Sequence, residues 1–401
     1  MSVTAPTTTD RPTADLLDPS FYVDLDAMHE AFRWMRANEP VYRDEANALW
    51  AVTRHADVID VERRAKVFVS GQGYRSFHSP SESNMIAQDD PGHAEQRALV
   101  ARRFTPKAVL RHEETIRSMV TGLLDSIAEA GRMEVVGDLA APLPCKLTAH
   151  LLGFPEDAWP EVRSWSERLM RIDRMTREPE VAMDLIMACQ EFQAVLDDVV
   201  PARREEPADD LVSVWANAEV GGCPMSGETI FHETGLFISG GAETTRTVIA
   251  RGIAALCEHP EQWEAIAADP ALVPHAVEEL IRWVTPLNNF FRTATADATI
   301  ADTAVATGDR VILLYPSANR DEAVFDDPYR FDVARAHNNH VAFGFGPHVC
   351  VGAPLARLEL RILFEELARR FTNLHALGPL ELEASIFATA VERFEVGFDL
   401  R

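Results

Sequence analysis

The chain has 401 residues, a formal net charge of −25 and 47% hydrophobic residues, enough for a large core. So acidic a balance excludes the basic surface that a nucleic-acid binder normally carries. Five cysteines, at 145, 189, 223, 257 and 350, form no C-x-x-C pair; this excludes the usual zinc ribbon and points to a reducing cytoplasm, not a disulfide framework.

Residues 1–15 open Met1-Ser2-Val3-Thr4-Ala5-Pro6-Thr7 and read as a flexible polar tail without the apolar core of a signal segment. No stretch approaches the roughly 18–20 apolar residues of a membrane span, so no membrane anchor is expected. No linker, repeat or low-complexity block divides 16–401, which reads as one domain. A helix is predicted over 26–38, then short strands at Val41-Tyr42 and Trp50-Ala51-Val52. Residues 71–88 lack periodicity and carry Gly, Ser, Pro and Asn, the mark of a long loop. Helical patterns follow at 91–104, 112–130, 138–152, 157–170, 180–204 and 226–258, then at 261–268, 272–284 and 354–370. Short strands fit 311–314 and 390–398, so the fold class is mainly α with a small β part.

Several patches of this frame carry chemistry. Asp90-Pro91-Gly92-His93 reads as a helix start, with Asp90 as N-cap and Pro91 at the first position. His93 and Arg97 are four apart and share a face suited to an anionic carboxylate. The helix at 226–258, capped by Ser226 with Glu228 in its first turn, would span roughly 48 Å. Gly240 and Gly241 in its middle cost about 0.8–1 kcal/mol each relative to alanine and clear bulk from one face. Glu243 and Thr244 come next; they flank one small pocket if the helix is locally widened. Glu279 and Arg282 are three apart on one face of a partly buried helix.

The most specific patch is Phe343-Gly344-Phe345-Gly346-Pro347-His348-Val349-Cys350-Val351-Gly352. Its glycines clear space for a close approach, so that the sulfur of Cys350 points out of a loop. A helix starts just after it, with Pro354 tolerated in the first turn. Backbone N–H groups at that start would lower the thiol pKa and hold it as thiolate.

This run resembles the haem-binding loop of the cytochrome P450 family, F-G-x-G-x-H/R-x-C-x-G, with every fixed position filled. Gly240-Gly241-Ala242-Glu243-Thr244-Thr245 resembles the family's [AG]-G-x-[DE]-T-[TS], and Glu279 to Arg282 its E-x-x-R. The resemblance implies the P450 fold, a triangular helical prism with a long central helix and minor β-sheets. It implies haem b held by the Cys350 thiolate, whose electron density favours O–O cleavage, with dioxygen as cosubstrate. Thr244 would bond the distal oxygen and Glu243 would relay protons. His93 and Arg97 match D-x-x-H-x-x-x-R, and with Arg292 and His348 they would hold the haem propionates; Phe343, Gly344, Gly240 and Gly241 would lie against the haem. A second arginine, Arg335 first and Arg330 second, would complete the Glu279–Arg282 network.

The family's substrate-contact segments fall on Tyr74, Phe77, Met85 and Ile86, on Phe237, on Leu287, Asn288, Asn289 and Phe290, and on Ala388, Thr389, Ala390 and Val391. The set is mostly apolar, which suits a lipid-like or terpenoid substrate. Phe32 to Pro40, Glu278 to Arg292 and Ser317 to Phe325 are similar to actinobacterial members that oxidise the side-chain end of sterols, although the loop Gly71 to Gln88 departs from them. The leading substrate is thus a sterol side chain or a branched or fatty lipid, and a terpenoid or other secondary metabolite is the alternative. A peroxygenase and a non-catalytic haem-binding sensor are the rival classes; the pair Glu243-Thr244 argues against the first, and the second would show no turnover with reductant and ferredoxin. With 51 residues after Cys350 there is no room for a reductase domain, so electrons are expected from a separate ferredoxin and its reductase. Arg102, Arg103, Lys107 and Arg357 would form a basic patch that steers the ferredoxin. A cytoplasmic monomer is expected.

Overall fold

The computed structural model describes residues 11–175 and 177–401. Its helices and strands alternate early: α1 (Leu25–Asn38), β1 (Val41–Asp44), β2 (Leu49–Val52), α2 (His55–Arg63) and β3 (Phe68–Val69). After a long loop come α3 (Gly92–Ala101), α4 (Pro106–Val109), α5 (Glu113–Ala128) and β4 (Arg132–Glu134). The α-rich body continues with α6 (Pro142–Leu152), α7 (Trp159–Met170), α8 (Pro179–Glu205) and α9 (Leu211–Ala216). The hairpin β5 (Glu219–Val220) and β6 (Cys223–Pro224) leads into α10 (Gly227–Glu258), followed by α11 (Pro260–Ala268) and α12 (Val273–Val284). Four strands, β7 (Asn289–Ala294), β8 (Ala298–Ile300), β9 (Thr303–Val305) and β10 (Arg310–Leu314), precede α13 (Tyr315–Ala318) and α14 (Ala353–Arg370). The chain closes with β11 (Phe371–Ala376), β12 (Glu381–Leu382), β13 (Val391–Arg393) and β14 (Glu395–Leu400).

The largest sheet has the order β1-β2-β10-β7-β3, with β10 parallel to β2 and antiparallel to β7. The mainly α frame with a small β part is therefore as expected. The helix α10 crosses the body and packs on α6, α7 and α12. It starts where Ser226 accepts from Thr229 N. It runs without a break through Gly240 and Gly241, so the expected local widening is not there; Thr244 Oγ1 instead donates to Gly240 O at 2.8 Å within the regular helix.

Three other expectations change. The helix near 91 starts at Gly92, and Asp90 does not cap it: its carboxylate lies 3.0 Å from His93 Nδ1, while Asp89 O accepts from His93 N. Residues 1–10 of the expected tail lie outside the described residues. Arg11 pairs with Glu39 at 3.0 Å, Asp15 accepts from Asn47 at 2.7 Å and Ala14 is buried, so 11–15 are packed on the body. The helix α2 has no counterpart among the expected elements, because five of its nine residues are charged or histidine and mask the buried Val58 and Val61.

The pair Glu279–Arg282 is fully buried, with contacts of 2.7 and 2.8 Å. Arg282 also donates to Asn319 O and Pro328 O. Of the two candidate arginines it is Arg335 that joins, donating to Glu279 Oε2 at 3.1 Å, whereas Arg330 turns outward toward Asp332. Asn338 and the Asp332 N–H complete the acceptor side of Glu279.

Candidate active site

The Cys350 loop is built by two left-handed glycines, Gly344 at φ 68° and Gly346 at φ 69°. A Cβ on Gly346 would lie 2.6 Å from Glu62 O, so α2 packs directly against the loop. The turn is closed by Cys350 N donating to Phe343 O at 2.8 Å, and α14 begins three residues later with Pro354 in its first turn. Arg97 donates to Val349 O at 2.6 Å. The sulfur opens onto a chamber that Cys350 itself helps to line. On a larger scale Cys350 is enclosed by protein, and this burial pushes its thiol up; the Gly352 and Ala353 N–H groups and the charges of Arg97 and Arg357 pull it down by less. The helix start thus pulls the thiol down as expected, against the larger push of burial; a bound metal ion would deprotonate a coordinating thiol outright.

The chamber is lined by α10, by the 342–352 loop and by the start of α14. On α10, Gly240 faces open space, with no atom within 4 Å of a Cβ built there. Gly241 also lines the chamber, as expected, and it serves a helix contact as well: a Cβ there would lie 2.9 Å from Thr148 Oγ1 of α6. His93, Arg97, Arg292 and His348 all line the chamber, and the His93 and His348 rings lie 4.1 Å apart. Four donors thus converge where the nearby carboxylates are Asp90, 3.0 Å from His93 Nδ1, and Glu62, 3.6 Å from Arg292, while Nε2 of His93 is buried without a partner among the described residues. A soft sulfur on a Gly-cleared wall and donors short of anions fit an iron porphyrin with two carboxylates.

Glu62 and Tyr315 were not foreseen. Tyr315 donates to Glu62 Oε1 at 2.8 Å, Glu62 Oε2 has no partner among the described residues, and burial pushes the Glu62 carboxyl up to about 7. They come from α2 and α13, so no local spacing points to them.

The acid and the alcohol of α10 diverge. Thr244 lines the chamber, whereas Glu243 does not: its Oε2 accepts from Arg246 at 3.0 Å, and Arg246 also reaches Glu167 of α7 and Val391 O. Burial raises the Glu243 carboxyl against the pull of Arg246, and Oε1 has no partner among the described residues. The expected shared pocket is therefore not formed; a regular helix sets neighbouring side chains about 100° apart.

Of the expected substrate contacts, Tyr74, Met85, Ile86, Phe237, Leu287 and Phe290 line the chamber. Phe77, Asn288, Asn289, Ala388, Thr389, Ala390 and Val391 are not among its lining residues. Asn288 donates to Ser385 O and Thr389 Oγ1, and Asn289 donates to Ile386 O, so the two amides and Thr389 tie β7 to the 385–389 segment. Val391 is in the main core and Ala388 and Ala390 are buried; of this segment it is Phe387 that lines the chamber. Phe343 and Gly344 line the chamber as expected.

The loop before α3 is held to α10 by Glu233, whose Oε1 accepts from Met85 N at 2.8 Å. Burial pushes this carboxyl up to about 8. Between the ordinary value of about 4.3 and that level the unfolded chain gives up the proton first, so Glu233 lowers stability as pH rises across the window. Glu233→Gln keeps the acceptor and removes the titration. Its melting temperature relative to wild type should climb from pH 5 to pH 8, and a constant difference in thermal melts would refute this.

The comparisons agree with this geometry. The model of the family described as Cytochrome P450 matches residues 179–380, just over half of the chain. The chain is 41% identical to the steroid C26-monooxygenase of Mycolicibacterium smegmatis, over 97% of this chain and 96% of that one. The chain belongs to the cytochrome P450 family. It is 34% identical to the linalool 8-monooxygenase of Pseudomonas putida, over 89% of this chain and 91% of the relative. The Mycobacterium marinum cytochrome P450 solved in complex with pseudoionone superposes with a TM-score of 0.89, at 31% identity over 98% of this chain and all of that one. The protein is thus a P450 monooxygenase with a haem-thiolate cofactor and dioxygen as cosubstrate. Among the described residues no helix is long and apolar enough to cross a membrane.

Proposed function

We propose that this P450 hydroxylates an unactivated C–H at the side-chain end of a sterol-like molecule, with Cys350 as the iron ligand. Likeness to steroid C26-monooxygenases over almost the whole chain carries the reading, and the mostly apolar wall of the chamber supports it. Haem, when bound, supplies the activation of dioxygen. The protein's own share is positioning and proton control. Arg292, His93, Arg97 and His348 hold the propionates. Apolar side chains of α10 and the 85–86 segment exclude water from the reacting carbon. The Thr244 hydroxyl, parked on Gly240 O, turns by rotamer change to offer its proton to the chamber. Glu243 replenishes it, once Oε2 leaves Arg246.

The test is a titration of sterols, branched fatty acids and terpenoids against the low- to high-spin shift, with mass spectrometry of products. The reading predicts the largest shift for sterols and hydroxyl on the terminal side-chain carbon; attack on a ring carbon would overturn it. The linalool 8-monooxygenase relative favours a terpenoid alcohol as the second reading.

Electrons come, on this reading, from a separate ferredoxin and its reductase in the cytoplasm. The docking patch is narrower than expected. Arg103 is paired with Asp209 and Arg357 with Glu278, which leaves Arg102 and Lys107 exposed. Reversing both, as Arg102→Glu with Lys107→Glu, should slow first-electron transfer about tenfold at low salt, with the deficit closing as salt rises. A deficit independent of salt in stopped-flow reduction would contradict a steering role.

A further inference from the structure

Among the described residues the chamber wall holds one arginine outside the cluster around Cys350. Arg75, in the loop before α3, lines the chamber, while its counter-charge Glu82 does not. Arg75 Nη1 lies 3.4 Å from Glu82 Oε2, and its Nε is buried without a partner among the described residues. Glu82 is otherwise occupied: Oε1 accepts from Tyr74 OH at 2.6 Å and from Asn84 at 2.9 Å. The guanidinium stands over the Tyr74 ring at 4.5 Å and near the Phe387 ring at 5.9 Å, and both of those rings also line the chamber. The segment around Arg75 is braced, since Arg310 donates to Ser76 O at 2.7 Å and Phe291 N donates to Tyr74 O at 2.9 Å. A braced donor is thus offered to an apolar space and its acceptor is kept behind it.

We propose that Arg75 is the subsite for an uncharged oxygen of the substrate, a ketone or hydroxyl, and so fixes which way round a long apolar molecule lies in the chamber. This deepens, and rests on, the reading of the chain as a hydroxylase of large apolar substrates. Charge decides the kind of oxygen. Glu82 already balances Arg75, so a ligand carboxylate would bring an excess negative charge into a low-dielectric wall. A neutral carbonyl costs little to desolvate and gains a hydrogen bond from a charged donor.

The experiment compares a cholestane-type 3-ketone with cholestane, titrated by spin shift into the holoenzyme, its Arg75→Met and Arg75→Lys variants and Glu82→Gln. Wild type should bind the ketone about tenfold more tightly than the hydrocarbon. Arg75→Met should abolish that preference and leave cholestane within twofold, whereas Arg75→Lys keeps part of it. Glu82→Gln should raise the affinity for a long-chain carboxylic acid several-fold. Equal losses on both steroids, or loss of haem from Arg75→Met, would overturn the proposal, the latter by assigning Arg75 to the cofactor. If neither steroid shifts the wild-type spectrum, the sterol reading has failed. Arg75 is then decided by pseudoionone against the hydrocarbon lacking its carbonyl oxygen, where loss confined to the ketone supports the subsite and equal loss refutes it.

Discussion

Arg282→Ala is expected to destabilise the fold by about 3–5 kcal/mol. Both members of the Glu279–Arg282 pair are fully buried, so truncation takes both short guanidinium bonds from a carboxylate with no route to water and leaves it Arg335, Asn338 and the Asp332 N–H. Two main-chain carbonyls, Asn319 O and Pro328 O, lose their donor at the same time. These bonds tie α12 to the segment that leads into the Cys350 loop, so haem incorporation should fall with stability. Arg335→Ala should be milder: Arg335 lies nearer the surface, and Glu279 keeps Arg282, Asn338 and the Asp332 N–H. Urea unfolding and haem content of the purified variants check this. A haem-replete Arg282→Ala protein with the wild-type midpoint would show that the network is dispensable.

Glu243→Gln is expected to slow product formation about a hundredfold, the scale of a lost general acid. Glutamine keeps the Arg246 bond and the packing, so substrate binding should be unchanged. Glu243 is buried, raised by desolvation and has one free oxygen, which suits a group that takes up and passes on a proton. Reductant should still be consumed, so the ratio of product to electrons should fall and the solvent isotope effect should change. A wild-type rate in Glu243→Gln would remove Glu243 from the proton path and leave it as the partner of Arg246.

What the residues alone show is short-range; the distant partners that hold, Arg335 at Glu279 and Arg292 with His348 in the chamber, come from the family resemblance. The Cys350 loop is contiguous and its geometry is set by two glycines with positive φ. Glu279–Arg282 and His93–Arg97 are helix-spaced, and helix spacing alone makes such pairs neighbours. Position along the chain does not carry contacts between distant elements. Glu62 meets Tyr315 across 253 residues, and Asn288 meets Thr389 across 101. Asn288 and Asn289 fall in one of the family's substrate-contact segments, but their side chains are spent on satisfying the 385–389 backbone. Arg246 was within reach: it sits three residues after Glu243, the same spacing that marked Glu279 and Arg282. The exposure of Arg103 and Arg357 was not legible, since their carboxylate partners come from other elements.

The account depends above all on the sulfur of Cys350. The most direct measurement is the absorption spectrum of the reduced protein with carbon monoxide, for wild type and Cys350→His. Wild type should give the red-shifted band of a thiolate-ligated haem, and Cys350→His should give the band of an imidazole-ligated one. A histidine-type band from folded wild type, or a thiolate band that survives the substitution, would contradict it.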